Sequence, residues 1–228
     1  MIAKKTSREL LKLIDIMATL RSSDGCPWDQ KQTPETLKPY ILEEAYELIE
    51  AIDSGDTTEI CDELGDLLLQ VIFIAQIFSE QKKFGIAEVA NSISCKLIRR
   101  HPHVFADANI EGHAKRWEEI KQKERSARGK GNKLAERIPN SLPALKKAAK
   151  VIRKIEKDET PATLILKLKN DYSKLSRLTE KPVSVMTQLE TTLGEIFFST
   201  VHLANSLQID AEDLLRKKTM QVIKEIDN

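Results

Sequence analysis

Apolar residues recur every three or four positions along nearly the whole chain, the spacing of amphipathic helices, and no segment reads as a convincing β-strand. Leu10, Leu11, Ile14, Met17, Ala18 and Leu20 predict a first helix. A loop is expected over Ser22–Thr36, where Gly25, Pro27 and Pro34 interrupt the pattern. The period resumes from about Leu37 to Asp53 and stops at Gly55. A third helix is predicted from about Thr58 to Gln81, and a fourth from about Ile86 to Arg100, halted by Pro102. A strongly charged fifth helix is expected around Ala114–Arg128. The stretch Arg128-Gly129-Lys130-Gly131-Asn132-Lys133 has two glycines and no apolar residue, which marks a linker. Helical periodicity returns after Pro139 and Pro143 and continues to the end, with breaks near Thr160-Pro161 and Lys181-Pro182. The expected architecture is all-α, with helical domains over residues 1–127 and 141–228 joined by a linker over 128–140.

The third helix is apolar on nearly every side from Leu67 to Phe78. Such a helix needs burial all round, which a small helical domain supplies poorly. A second copy of the chain is therefore expected to cover one face, making a homodimer. The alternative cover is the other half of the same chain.

Composition narrows the function classes. With 8 glycines and 8 prolines in 228 residues, the chain has few of the tight turns a β-sheet needs. A net charge of +1 gives no drive toward nucleic acid or an anionic membrane. Cys26, Cys61 and Cys95 are odd in number and far apart, which argues against a disulfide framework and a zinc site. No basic-then-apolar leader opens the sequence, and the longest apolar run, broken by Gln70 and Gln76, is too short to cross a bilayer. A cytoplasmic location is expected.

Candidate chemistry lies in acids set inside apolar helices. Glu43, Glu44 and Glu47 fall on the second helix, and Asp62, Glu63 and Asp66 on the third. Residues three or four apart share a helix face. Only Ser54–Thr57 separates the two helices, so they should pack antiparallel and bring their acidic faces together. Carboxylates crowded beside a core resist ionisation, and a divalent cation removes the conflict. An all-oxygen set without His or Cys suits Mg²⁺, with Mn²⁺ as a substitute. The competing reading is a solvated acidic face. Lys96, Arg99 and Arg100 close the fourth helix, where cations either meet phosphate or complement the helix dipole. His101 and His103 flank Pro102 and read as a helix terminator, since a metal site needs more convergent ligands.

The arrangement Glu43-Glu44-x-x-Glu47, then Glu63-x-x-Asp66 after residues 48–62, resembles the EExxE…ExxD signature of the all-α nucleoside triphosphate pyrophosphohydrolases. Cys26-Pro27-Trp28-Asp29-x-x-Gln32-Thr33, Glu63-Leu64-Gly65-Asp66-Leu67-Leu68, Arg99-Arg100-His101-Pro102-His103-Val104-Phe105, Arg116-Trp117-Glu118-x-Ile120-Lys121 and Ser141-Leu142-Pro143-Ala144-Leu145 are similar to segments of the MazG family and occur in the same order. The resemblance implies Mg²⁺-dependent cleavage of nucleoside triphosphates between the α and β phosphates. Carried over by motif, Glu44, Glu47, Glu63 and Asp66 would ligate the metal, and Glu43 would support them or orient the attacking water. Lys96 and at least one of Arg99 and Arg100 would meet the triphosphate, with Lys121 meeting a further phosphate. Trp117 would stack on a base or ribose, or else pack as core. Trp28 would touch the nucleobase at the mouth of the site. Which carboxylate serves as base stays open.

The resemblance also implies a second, degenerate copy. Leu64-Gly65-Asp66-Leu67-Leu68-Leu69 recurs 129 residues later as Leu193-Gly194-Glu195-Ile196-Phe197-Phe198. Ser173, Lys174 and Arg177 replace the first acidic triplet, and Thr192 and Glu195 replace the later pair. Such a set is not expected to hold Mg²⁺. No counterpart of the Trp117 segment follows it in this sequence. Activity is therefore expected from the N-terminal half. The alternatives are a non-catalytic nucleotide-sensing or helical interaction protein, and a hydrolase of other phosphorylated nucleotides.

Overall fold

Helix-forming periodicity dominates the sequence, and the computed structural model is all-α. It describes residues 2–106, 113–127, 129, 133–155, 159–179 and 186–227, and among them no strand occurs. The sequence-predicted break at Lys181-Pro182, and residues 128 and 130–132 of the expected linker over 128–140, lie outside the described residues. The chain divides into two compact units, Met1–Trp117 and Glu118–Asn228.

The first unit holds α1 (Ile2–Leu20), α2 (Pro27–Lys31), α3 (Lys38–Ser54), α4 (Thr57–Glu80), α5 (Ile86–Arg100), α6 (Pro102–Phe105) and the start of α7 (His113–Ala127). Its core is Met17, Leu37, Ile72, Phe73 and Ile77, flanked by Leu13, Ile14, Leu20, Leu69, Ile74 and Ile86. Side chains of this size contribute about 1.5–3 kcal/mol each on full burial. α4 is the central rod, packed by α1, α3 and α5.

Three local features depart from the periodicity. α1 begins at Ile2, well before Leu10, because the intervening polar residues favour helix without adding to an apolar stripe. The expected loop over Ser22–Thr36 contains α2, which opens with Pro27 at its first position. Five residues are too few for a hydrophobic period to show. Pro102 ends α5 as expected but also starts the short α6.

The second unit contains the rest of α7 with α8 (Leu134–Arg137), α9 (Ala144–Ile155), α10 (Pro161–Thr179), α11 (Met186–Ser206) and α12 (Ala211–Ile226). Ala149, Ile152 and Val201 centre its core, and Asn205 Nδ2 donates to the Ala149 carbonyl at 3.0 Å, tying α11 to α9. α10 lies along α11, burying Leu164, Leu178, Thr192 and Ile196. No helix among the described residues is long and apolar enough to cross a membrane.

Candidate active site

The hairpin of α3 and α4 is built by its turn. Gly55 ends α3 at φ +78°, a left-handed conformation that glycine adopts without strain, and its N–H donates to the Ala51 carbonyl. Asp56 follows at once as the cap of α4, its side chain accepting from the N–H groups of Thr58 at 2.8 Å and Glu59 at 3.4 Å. This short connection lays the helices side by side.

Their packed faces bring acids together. Glu44, Glu63 and Asp66 each present a carboxylate oxygen, and the three oxygens lie within 4.8 Å of one another. Glu44 and Glu63 are half-buried and Asp66 is exposed. Glu63 Oε2 is sealed from solvent and has no hydrogen-bond partner. A buried carboxylate oxygen without a donor is costly in a protein interior. Burial, then the charge of Asp66, pushes the Glu44 carboxyl above its ordinary pKa, with Glu47 and Glu63 adding to the effect. Glu63 is raised in the same way, by burial first and then by Glu47, Asp66, Asp62 and Glu59. Glu47 therefore acts on the cluster through its charge, while itself exposed and outside the 4.8 Å group. Glu43 is also exposed and outside that group.

Gln70 completes the arrangement. It is 7% exposed, sits one turn beyond Asp66 on α4, and donates from Nε2 to Glu44 Oε1 at 3.3 Å. In the sequence Gln70 reads only as an interruption of an apolar run. An amide in an apolar stretch, four residues after Asp66, is the signal the sequence carries.

The expected substrate contacts fall into separate groups. Lys96 is half-buried on α5 and lines a cleft of about 450 Å³ with Phe84, Glu88, Val89, Ser92 and Ile93. The Arg100 guanidinium carbon lies 5.4 Å from the Trp117 ring centroid, and His101 meets the same ring edge-on at 4.9 Å. Trp117 thus has a cation and an imidazole against it. His101 caps the end of α5, its Nδ1 lying 2.7 Å from the Leu97 carbonyl oxygen. Arg99 is exposed on the last turn of α5. Lys121 belongs to the second unit and pairs with Glu118 at 2.8 Å. Trp28 is exposed on α2 and packs edge-on against Tyr40, with ring centroids 6.0 Å apart. Tyr40 was not anticipated, although it stands one turn before Glu44 on α3.

Residues 32–105 match the family model described as the MazG nucleotide pyrophosphohydrolase domain. The nucleoside triphosphate pyrophosphohydrolase/pyrophosphatase MazG of Thermotoga maritima is 40% identical over 221 residues, covering 93% of this chain and 82% of that protein. The chain belongs to the MazG family. A nucleoside triphosphate pyrophosphohydrolase of Escherichia coli K12 is 39% identical over 214 residues, covering 90% of this chain and 81% of its own length. One from Mycobacterium tuberculosis is 36% identical over 170 residues, covering 72% and 51%. The matched domain spans α3, α4 and α5 and so includes Glu43, Glu44, Glu47, Asp62, Glu63 and Asp66, with Lys96, Arg99 and Arg100. Trp28, Trp117 and Lys121 lie outside it.

The residues fit a divalent cation on their own chemistry. Three carboxylate oxygens are hard donors of the kind Mg²⁺ takes, one or two directly and the rest through water. The partnerless Glu63 Oε2 and the raised carboxyls of Glu44 and Glu63 are the electrostatic conflict such an ion relieves.

Proposed function

We propose that this chain is an Mg²⁺-dependent nucleoside triphosphate pyrophosphohydrolase with its active centre in the first unit. Water attacks at the α phosphorus, the bond to the bridging oxygen breaks, and a nucleoside monophosphate and pyrophosphate leave. The observation that carries this reading is the meeting of Glu44, Glu63 and Asp66 oxygens within 4.8 Å, beside which Glu63 Oε2 is buried without a hydrogen-bond partner. The names of the relatives support the substrate class.

Each residue has a role in the reading. Glu44, Glu63 and Asp66 would hold the cation, with Glu47, whose charge acts on Glu44 and Glu63, as the fourth ligand. Mg²⁺, when bound, supplies charge neutralisation on phosphate oxygens and acidifies water. Glu43, exposed beside the set, orients the attacking water. Lys96, Arg99 and Arg100 neutralise the phosphate tail, the arginines through paired N–H donors. Trp28 and Tyr40 offer an aromatic edge one turn from Glu44, suited to a nucleobase. Trp117, with Arg100 on its ring, stacks on base or ribose.

The second unit carries no metal in this reading. α10 and α11 pack as α3 and α4 do, and Lys82 and Gln208, just beyond α4 and α11, share a left-handed backbone at φ +55° and +60°. These likenesses support a degenerate copy. A second copy of the chain covers the exposed apolar rows of α3 and α4, and the three free cysteines are consistent with a cytoplasmic enzyme.

The deciding experiment incubates purified protein with a panel of NTPs and dNTPs, with and without Mg²⁺, and measures pyrophosphate. Release that needs Mg²⁺ and disappears in folded Glu63→Ala and Asp66→Ala supports the assignment. Release that survives both changes overturns it, and nucleotide binding without release favours a sensor.

A further inference from the structure

Arg21 takes no part in the chemistry above, yet its side chain is only 7% exposed. Nε and Nη2 donate to the two oxygens of Glu80 at 2.8 and 2.7 Å, a fork-on-fork pair. Nη1 donates to the carbonyl of Asp29, and to that of Gln32 at 3.3 Å. The guanidinium carbon lies 5.5 Å from the centroid of the Phe73 ring. One cation therefore joins the end of α1, the last turn of α4 and the carbonyl end of α2.

The segment it holds is tightly determined. A Cβ at Gly25 would come within 2.3 Å of the Leu20 carbonyl oxygen, so only glycine fits. The Cys26 N–H donates to the same carbonyl at 2.7 Å, and Gln30 Nε2 donates to the Ser22 carbonyl at 2.6 Å. Thr36 Oγ1 donates to Gln32 Oε1 at 2.7 Å. All this order fixes a segment whose largest side chain, Trp28, stays 51% exposed. An aromatic held rigidly but left half in solvent gains little as core and much as a contact surface. Tyr40, against which Trp28 packs, precedes Glu44 by one turn, about 6 Å along the helix axis.

We propose that Arg21 is a positioning residue for nucleotide binding: its bonds to Glu80, Asp29 and Gln32 hold the segment that presents Trp28 beside the carboxylate cluster. The proposal rests on the pyrophosphohydrolase reading. Arg21 touches neither cation nor substrate, so its loss acts on substrate binding more than on turnover.

The test compares Arg21→Met, Arg21→Lys and Glu80→Gln in the full chain, by initial rates of pyrophosphate release at saturating Mg²⁺ and by Mn²⁺ titration without nucleotide. Arg21→Met and Glu80→Gln should raise KM about tenfold while kcat changes less than about threefold. Arg21→Lys should recover part of the loss, because an ammonium can face Glu80 but cannot fork. Mn²⁺ affinity should stay unchanged in all three. Glu80→Gln preserves shape and carries the test where Arg21→Met does not fold. An unaltered KM in active variants overturns the positioning role alone, as does a loss of Mn²⁺ affinity in step with KM. An unaltered chain that releases no pyrophosphate from any nucleotide removes the parent reading and this proposal with it.

Discussion

Gln70 on α4 reaches across to α3 and donates from Nε2 to Glu44 Oε1 at 3.3 Å, while its own Oε1 is buried without a partner. The amide is neutral, so it orients Glu44 without adding charge to a crowded site, and its hydrogen bond opposes the upward push on the Glu44 carboxyl. Groups that orient a metal-binding side chain typically matter 10–100-fold for metal affinity. Gln70→Leu, close in volume and apolar, should leave the fold intact and weaken Mn²⁺ binding by about tenfold. Isothermal titration of Mn²⁺ checks this, and an unchanged affinity would show that Glu44 needs no such support.

Glu63 should show opposite effects on stability and activity. Its carboxyl is raised by burial and by four neighbouring acids, so its charge opposes folding in the metal-free protein. Glu63→Gln keeps the shape and removes the charge. The metal-free melting temperature should rise, while pyrophosphate release falls by about 100-fold or more as a ligand is lost. Calorimetry paired with an activity assay tests both halves. A lower melting temperature would mean that the charge is not in conflict.

How far the sequence could reveal this arrangement depended on the range of each interaction. Helices α3, α4 and α5 were legible because long apolar stripes end at Gly55 and Pro102, and both are local signals. Glu44, Glu63 and Asp66 were legible because helical spacing and a short turn force two faces together. α2 was not, since Pro27 starts a helix too short to show a period. The Arg21–Glu80 pair was hidden altogether: its partners are 59 residues apart and meet only once α1 packs on α4. Tyr40 and Gln70 lay between these cases, at telling helical positions but with side chains that also suit ordinary packing.

Exposed apolar rows on the hairpin bear on assembly. Leu42, Tyr46 and Ile49 on α3 and Leu64, Leu68 and Val71 on α4 all remain exposed. Two such rows at helical spacing are a face that water covers poorly. Leu68→Glu should shift the protein toward monomer in sedimentation at micromolar concentration, with helical content retained. An identical sedimentation coefficient for variant and parent would count against a dimer through this face.

Metal should bind to the first unit alone. In the second unit Lys174 Nζ lies 3.7 Å from Glu195 Oε2, at positions that the proposed repeat would align with Glu44 and Asp66. An ion pair stands there in place of a repulsion, so nothing is left for a cation to relieve. The pair is about half exposed, and Lys174→Ala should cost less than about 1 kcal/mol. Asp66→Asn together with Glu63→Gln should abolish Mn²⁺ binding completely. A residual site in that double variant, lost on changing Glu195, would contradict the degenerate-copy reading.

Glu118 supplies the clearest pH signature. It accepts hydrogen bonds from Lys121 at 2.8 Å and from Lys154 of α9 at 2.7 Å, with Arg137 of α8 at 4.0 Å. The bond from Lys121, then that from Lys154, holds its carboxyl well below the ordinary value of 4.5, at about 2. Because the folded pKa is depressed, the stabilisation is fully present above pH 4.5 and is lost as pH falls from there to about 2. Its side chain is 46% exposed, so solvent screening limits the contribution to about 1 kcal/mol or less. Glu118→Gln should therefore lower the melting temperature of the second unit at neutral pH, and the gap to the parent should close toward pH 2. Carbon-13 shifts of the Glu118 carboxyl give the midpoint directly. A midpoint near 4.5, or a gap that persists in acid, would mean that the lysines do not hold this carboxylate as the structure indicates.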